Sequence, residues 1–146
     1  MACINLFVYG SLVTGSGLPH IDRLLPGLGD ELGGAVMRGR LYLLDGYPGA
    51  LPSHRRCDAV FGTVIRLRDF ARVIRRLDEY EAYCPAHPAR SEFIRTRTVV
   101  TLVSTARRVP AWVYLYNGSI KGRRRIRGGD YRRIYTGGVA LRRPLP

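Results

Sequence analysis

Phe7-Val8-Tyr9-Gly10-Ser11-Leu12 ends a short apolar run that begins at Cys3 and breaks at a small-residue turn. The run reads as a buried strand. A strand that stops at Gly-Ser leaves backbone N–H groups pointing outward. Such groups bind an anion or a developing oxyanion without any basic side chain. A plain strand-to-loop turn accounts for the same local pattern. What distinguishes the two lies some seventy residues downstream.

Val13 to Gly34 is rich in Gly and Pro and reads mostly as loop, with room for one helical turn around Ile21 to Leu25. Ala35 to Leu44 reads as a strand that stops at Asp45-Gly46-Tyr47-Pro48-Gly49, a strong turn signal. Leu51 to Asp58 reads as a polar loop. Val60 to Leu67 alternates, with Phe61, Thr63, Ile65 and Leu67 on one side. Phe93 to Val103 is another strand. In Pro110 to Tyr116, Ala111, Val113 and Leu115 share one face and Trp112, Tyr114 and Tyr116 the other. That aromatic face suits either a pocket lining or a core.

One segment has helical periodicity. Asp69 offers an N-cap for a helix from Phe70 to about Tyr83, whose apolar positions Phe70, Ile74 and Leu77 recur at i, i+4, i+7 with Val73 beside them. Four residues further, the stripe lands on Glu81, three turns plus roughly 20° from Phe70. A carboxylate thus falls in line with the buried face, opposite Arg72, Arg75, Arg76 and Glu79. Burying an acid is costly unless it is paired or holds a proton. A frayed last turn or an arginine partner is the plain reading of Glu81, and a surface or helix-supporting charge that of Asp78. Five or six strands and one helix predict an α+β fold: a small mixed β-barrel-like sheet closed on one side by the helix. We expect a single domain over residues 1–146, with about 117–146 a basic tail packed on it or trailing from it.

The 146 residues suffice for a full hydrophobic core, and no apolar run approaches the ~18 residues a membrane span requires. No basic leader or cleavage site precedes the first strand. Three cysteines without metal-type spacing suit a reducing compartment, so a cytoplasmic location is expected. The net charge of +13 comes almost wholly from arginine, Lys121 being the sole lysine. Such a balance invites a nucleic-acid partner. The arginines are spread through strands, helix and tail, and concentrate only between Arg123 and Arg133. A nucleic-acid role is therefore possible but not favoured. Oligomeric state is not readable.

Several chemistries drop out. Gly15-Ser16-Gly17 lacks the last glycine of a dinucleotide loop, where His20 stands, and no βαβ unit follows. There is no Walker loop and no nucleophile elbow. His20, His54 and His87 lack metal-ligand spacing, so neither a metal nor another cofactor is expected.

What remains is an ordered set of segments: Tyr9-Gly10-Ser11-Leu12, Gly39-Arg40-Leu41-Tyr42, Gly46-Tyr47-Pro48-Gly49, Gly62-Thr63-Val64, Leu77-Asp78-Glu79-Tyr80-Glu81, the Arg95 strand, Ala111-Trp112-Val113-Tyr114 and Gly129-Asp130-Tyr131. The set covers essentially the whole chain and resembles the γ-glutamylcyclotransferase-like family, which includes γ-glutamylamine cyclotransferases and AIG2-type proteins. The resemblance implies a small barrel with a cavity, floored by the Tyr9–Leu12 turn, and Glu81 as acid/base. It also implies release of 5-oxoproline from a small-molecule γ-glutamyl substrate. Two departures stand out: Ala82 occupies a position that is commonly glycine, and the high positive charge is not a family requirement.

The residues suit that chemistry. The substrate's α-amine must attack its own γ-carbonyl, so holding it folded supplies much of the acceleration. One carboxylate, Glu81, can take a proton from the amine and return it to the leaving group. Backbone N–H groups around Gly10 to Leu12 are placed to meet the oxyanion. Tyr9, Ser11, Tyr114 and Tyr116 are candidates to hold the α-carboxylate or α-amine, and Arg95 is a candidate structural partner for a buried acid. The competing expectation is a basic barrel that binds nucleic acid or another polyanion without turnover.

Overall fold

The computed structural model describes residues 3–10 and 28–131. Its central strand is β1 (Asn5–Val8), which lies between an antiparallel neighbour and a parallel one. Both its faces are covered. Leu6 and Val8 face a core shared with the helix, while Phe7 and Tyr9 face the barrel interior. A strand buried on both sides needs apolar residues at every position, which is why this run does not alternate.

The other strands are β2 (Gly29–Leu43), β3 (Pro48–Pro52), β4 (Ala59–Leu67), β5 (Phe93–Leu102), β6 (Arg108–Tyr116) and the short β7 (Arg124–Arg125). Their order is β3-β2-β4-β1-β6-β5, and β5 returns to β2, which closes a five-strand barrel-like sheet. Strand β2 is long enough to serve two partners. Gly29 to Arg38 pair with β4, and Gly39 to Leu43 pair with β3 outside the barrel. Gly62 belongs where β4 crosses β1, because a Cβ there would lie 2.2 Å from the Val8 carbonyl oxygen.

Two expectations about the strands need correction. Strand β2 begins at Gly29, so Gly29 to Gly34 are strand; glycines and exposed acids with little to bury can still join a ladder when a neighbouring strand supplies the hydrogen bonds. Pro48 to Pro52 is likewise a strand, with Leu43 opposite Pro48 across a turn that Leu44 closes by donating to the Tyr47 carbonyl at 2.8 Å.

Helix α1 (Phe70–Tyr80) buries Val73, Ile74, Leu77, Asp78 and Tyr80 against the sheet. It is shorter than its periodicity suggests, and both ends differ from expectation. Asp69 makes no side-chain cap; it adopts a left-handed conformation, and its carbonyl accepts from the N–H groups of Arg72 and Val73. At the other end Ala82 turns left-handed at φ 53°. The Ala82 N–H then donates to the Glu79 carbonyl and the Tyr83 N–H to the Asp78 carbonyl, the paired bonds of a Schellman closure. That closure normally uses glycine. No helix among the described residues is long and apolar enough to cross a membrane.

Candidate active site

The last turn of α1 meets the aromatic face of β6. Asp78 is 7% exposed, and both its oxygens are engaged. Arg95 on β5 donates to it twice, from Nε at 2.9 Å and from Nη2 at 3.2 Å. The Tyr114 hydroxyl donates to the same carboxylate at 2.6 Å. The Arg95 guanidinium is itself held between aromatic rings, 4.9 Å from the centroid of Trp112 and 5.7 Å from that of Tyr83. A buried acid survives here because a bidentate guanidinium and a phenol replace its water. Burial pushes the Tyr114 phenol far above its ordinary range, and the hydrogen bond to Asp78 and the charges of Asp78 and Glu81 add to the effect. Tyr114 therefore stays a protonated donor.

Glu81 follows one turn after Leu77 as the C-cap of α1, partly buried, its N–H bound to the Leu77 carbonyl at 2.9 Å. Its charge reaches Tyr114. The Schellman closure at Ala82 sets where its side chain leaves the helix.

The remaining predicted site residues are distributed as follows. Tyr9 points into the barrel. Its hydroxyl donates to the Tyr114 carbonyl and accepts from the Ala50 N–H at 3.1 Å, tying the end of β1 to β6 and β3. Gly10 lies against Pro48, whose Cγ would be 2.8 Å from any Cβ at that position. Ser11 and Leu12 lie outside the described residues. Tyr116, two residues beyond Tyr114 on the same face of β6, packs edge-on against Phe93 with centroids 5.6 Å apart. The structure thus brings Glu81 to Tyr114, ties Tyr9 to the backbone of Tyr114, and sets Tyr116 one pleat further along.

Tyr47 and Glu92 were not singled out from the sequence, and Asp78 was left open there between a helix-supporting charge and a role in the site. Asp78 is the buried acid, a role its position at the border of the apolar stripe concealed. Tyr47 donates to Glu92 at 2.7 Å, and the Glu92 N–H donates to the Ala82 carbonyl, which places a further carboxylate beside the end of α1. No local signal marks that pair, since one member comes from a hairpin turn and the other from the approach to β5. The loop between α1 and β5 is pinned by Ser91, whose Oγ accepts from the Cys84 N–H at 2.8 Å. Cys84 and His87 are exposed.

A second buried acid lies away from this site. Asp58 accepts from Arg40 Nε at 2.8 Å, from Ser53 Oγ at 2.6 Å and from Arg125 Nη2 at 2.8 Å. These donors hold its carboxyl well below the usual range.

Residues 6–133 match the family profile described as "Gamma-glutamyl cyclotransferase, AIG2-like". Solved structures share the fold. An uncharacterized protein from Pyrococcus horikoshii superposes with a TM-score of 0.61 at 19% identity, covering 91% of this chain and 93% of its own. A mouse AIG2-like protein gives 0.60 at 18% identity, over 83% of this chain and 82% of its own. The protein ytfP from Escherichia coli gives 0.55 at 28% identity, over 87% and 95%. No curated protein matches the sequence.

Proposed function

The chain belongs to the AIG2-like γ-glutamyl cyclotransferase family, and on that premise we propose that it releases 5-oxoproline from a γ-glutamyl amine or amide without a cofactor, with Glu81 as general base and acid. The family supports a cyclotransferase-like activity on a small γ-glutamyl compound in general. The observation that carries the finer reading is the place of Glu81 at the end of α1, beside the anchored Asp78–Tyr114 pair. Asp78 has both oxygens committed to Arg95 and Tyr114, which makes it a fixed anchor between α1 and the sheet. Glu81, one residue past the helix end, is partly buried, and its charge acts on Tyr114.

In this reading the substrate is held folded, with its α-amine against its own γ-carbonyl. Glu81 takes a proton from the amine, which attacks the carbonyl carbon. The new C–N bond closes a five-membered ring, and the bond to the leaving amine breaks as that nitrogen receives the proton. Because both partners belong to one molecule, orientation supplies much of the rate. Proton transfer through a positioned carboxylate adds typically 10²–10⁴-fold. Tyr114, kept protonated, holds the Asp78 anchor in place near Glu81. Main-chain N–H groups at the Gly10 turn are the candidates for the oxyanion. A cytoplasmic setting suits the free cysteines Cys3, Cys57 and Cys84.

The test is 5-oxoproline release from a panel of γ-glutamyl amino acids, γ-glutamyl-ε-lysine and γ-glutamyl polyamines, with wild type and Glu81→Gln side by side. Turnover lost in a folded variant supports the reading. Full turnover in Glu81→Gln removes Glu81 from the mechanism.

A further inference from the structure

The outer face of the barrel carries a feature that the proposed chemistry does not use. Four residues stand directly across from one another on successive strands: Phe61 on β4 opposite Val36 on β2, Val36 opposite Thr101 on β5, and Thr101 opposite Arg108 on β6. Residues opposed in this way share one face of a sheet. Past this row β2 and β5 no longer pair, and an open groove of about 990 Å³ runs between them. Its floor is apolar and wet: Phe61 is 36% exposed, Val99 49% and Val103 63%. Its rim holds Arg38, Arg56 and Arg108, all exposed. None of the three forms an ion pair among the described residues. The acid in the lining, Asp58, is already held by Arg40 and Arg125.

We propose that this groove is a docking site for an acidic polypeptide segment of a partner protein, one that seats apolar side chains against Phe61, Val99 and Val103 and sets carboxylates against Arg38, Arg56 and Arg108. The occupant follows from charge and surface together. A second copy of this chain, at +13, brings the wrong sign. Residues 132–146 carry four arginines and no acid, and residues 11–27 carry one acid and one arginine, so neither complements the rim. A single-stranded nucleic acid reads its groove with several stacking aromatic rings, whereas Phe61 is alone among aliphatic neighbours. Exposed apolar residues beside guanidiniums that form no ion pair among the described residues fit an acidic, amphipathic peptide.

The experiment is fluorescence anisotropy with the full chain and three labelled probes: a peptide alternating Glu and Leu, a poly-Glu peptide of the same length, and an oligothymidylate. Each is titrated against wild type, Phe61→Ser, the double variant Arg38→Glu/Arg108→Glu, and a charge-matched control, Arg72→Glu/Arg75→Glu, on the outer face of α1. Circular dichroism checks that each variant is folded, and the two groove variants are independent of each other. The expected result is that the Glu/Leu peptide binds more tightly than the other two probes. Each groove variant weakens it about tenfold or more, a change of about 1.4 kcal/mol, while the helix control leaves it within about twofold. Equal loss in the control would reduce binding to net charge and overturn the proposal. So would tighter binding of the oligothymidylate at the same residues, or no binding of the Glu/Leu peptide.

Discussion

Arg95 reaches across from β5 to hold both oxygens of Asp78, the acid on the inner face of α1, at 2.9 and 3.2 Å. This pair fastens the helix to the barrel next to the proposed catalytic carboxylate. The side chains are only 18% and 10% exposed, so removing one partner leaves the other charge buried and unpaired. Asp78→Ala is expected to cost about 3–5 kcal/mol of stability, read from urea unfolding. A cost under about 1 kcal/mol would mean that the pair behaves as a surface bridge.

Glu81→Gln should show the opposite profile. Its stability in the same unfolding assay should stay within about 1 kcal/mol of wild type, as for an ordinary substitution at a partly exposed position. Its rate of 5-oxoproline release should fall by a factor of about 10² or more. Loss of activity in Asp78→Ala accompanied by unfolding, set against loss in a folded Glu81→Gln, separates the anchoring acid from the reacting one.

Ala82 holds a left-handed conformation at the point where the helix closes. An L-residue with a Cβ is strained there by about 1–2 kcal/mol, and glycine is not. Ala82→Gly should therefore stabilise the protein by about 1 kcal/mol and raise Tm by roughly 2–4 °C. A lowered Tm would show that the helix end is not strained.

Tyr114 loses its proton less readily in the folded protein than in the unfolded chain, whose reference value is 10.0. Above that pH the unfolded state gives up a proton that the folded state keeps, so stability falls as pH rises. Below it the contribution is fully present. Wild type should lose stability steadily between pH 10 and 11, and Tyr114→Phe should lose less across the same interval. Parallel curves would mean that Tyr114 does not set the alkaline limb.

Asp58 is shifted the other way. Its carboxyl is held well below its ordinary value of 3.8 by Arg40, Ser53 and Arg125. The stabilisation is present above that value and fades as pH falls through it, because the unfolded chain binds the proton first. Acid unfolding monitored by circular dichroism should show a shallower pH dependence below about pH 4 in Asp58→Asn, on a lower plateau at neutral pH. An unchanged acid limb would assign it to other carboxylates.

What the sequence by itself determined is what depends on neighbours along the chain. The continuous apolar run of β1, the apolar stripe of α1 and the segregation of Trp112, Tyr114 and Tyr116 from Ala111, Val113 and Leu115 all follow from local period, and the structure keeps them, while Glu81, expected in line with that stripe, falls one residue past the helix end as its C-cap. The ordered motifs identified the family for the same reason. What only the tertiary structure decided depends on partners distant in sequence. Asp78 and Arg95 are seventeen positions apart, and Asp58 and Arg125 sixty-seven. Nothing in Asp78's own turn distinguishes a buried anchor from a solvated charge; only the arrival of β5 and β6 makes it one. The early start of β2 and the existence of β3 are decided in the same way, since a strand of small residues and prolines has little propensity and exists because another strand supplies its hydrogen bonds. Local period can place a carboxylate on a helix face, but whether it reacts or anchors is set by the donors that folding brings to it.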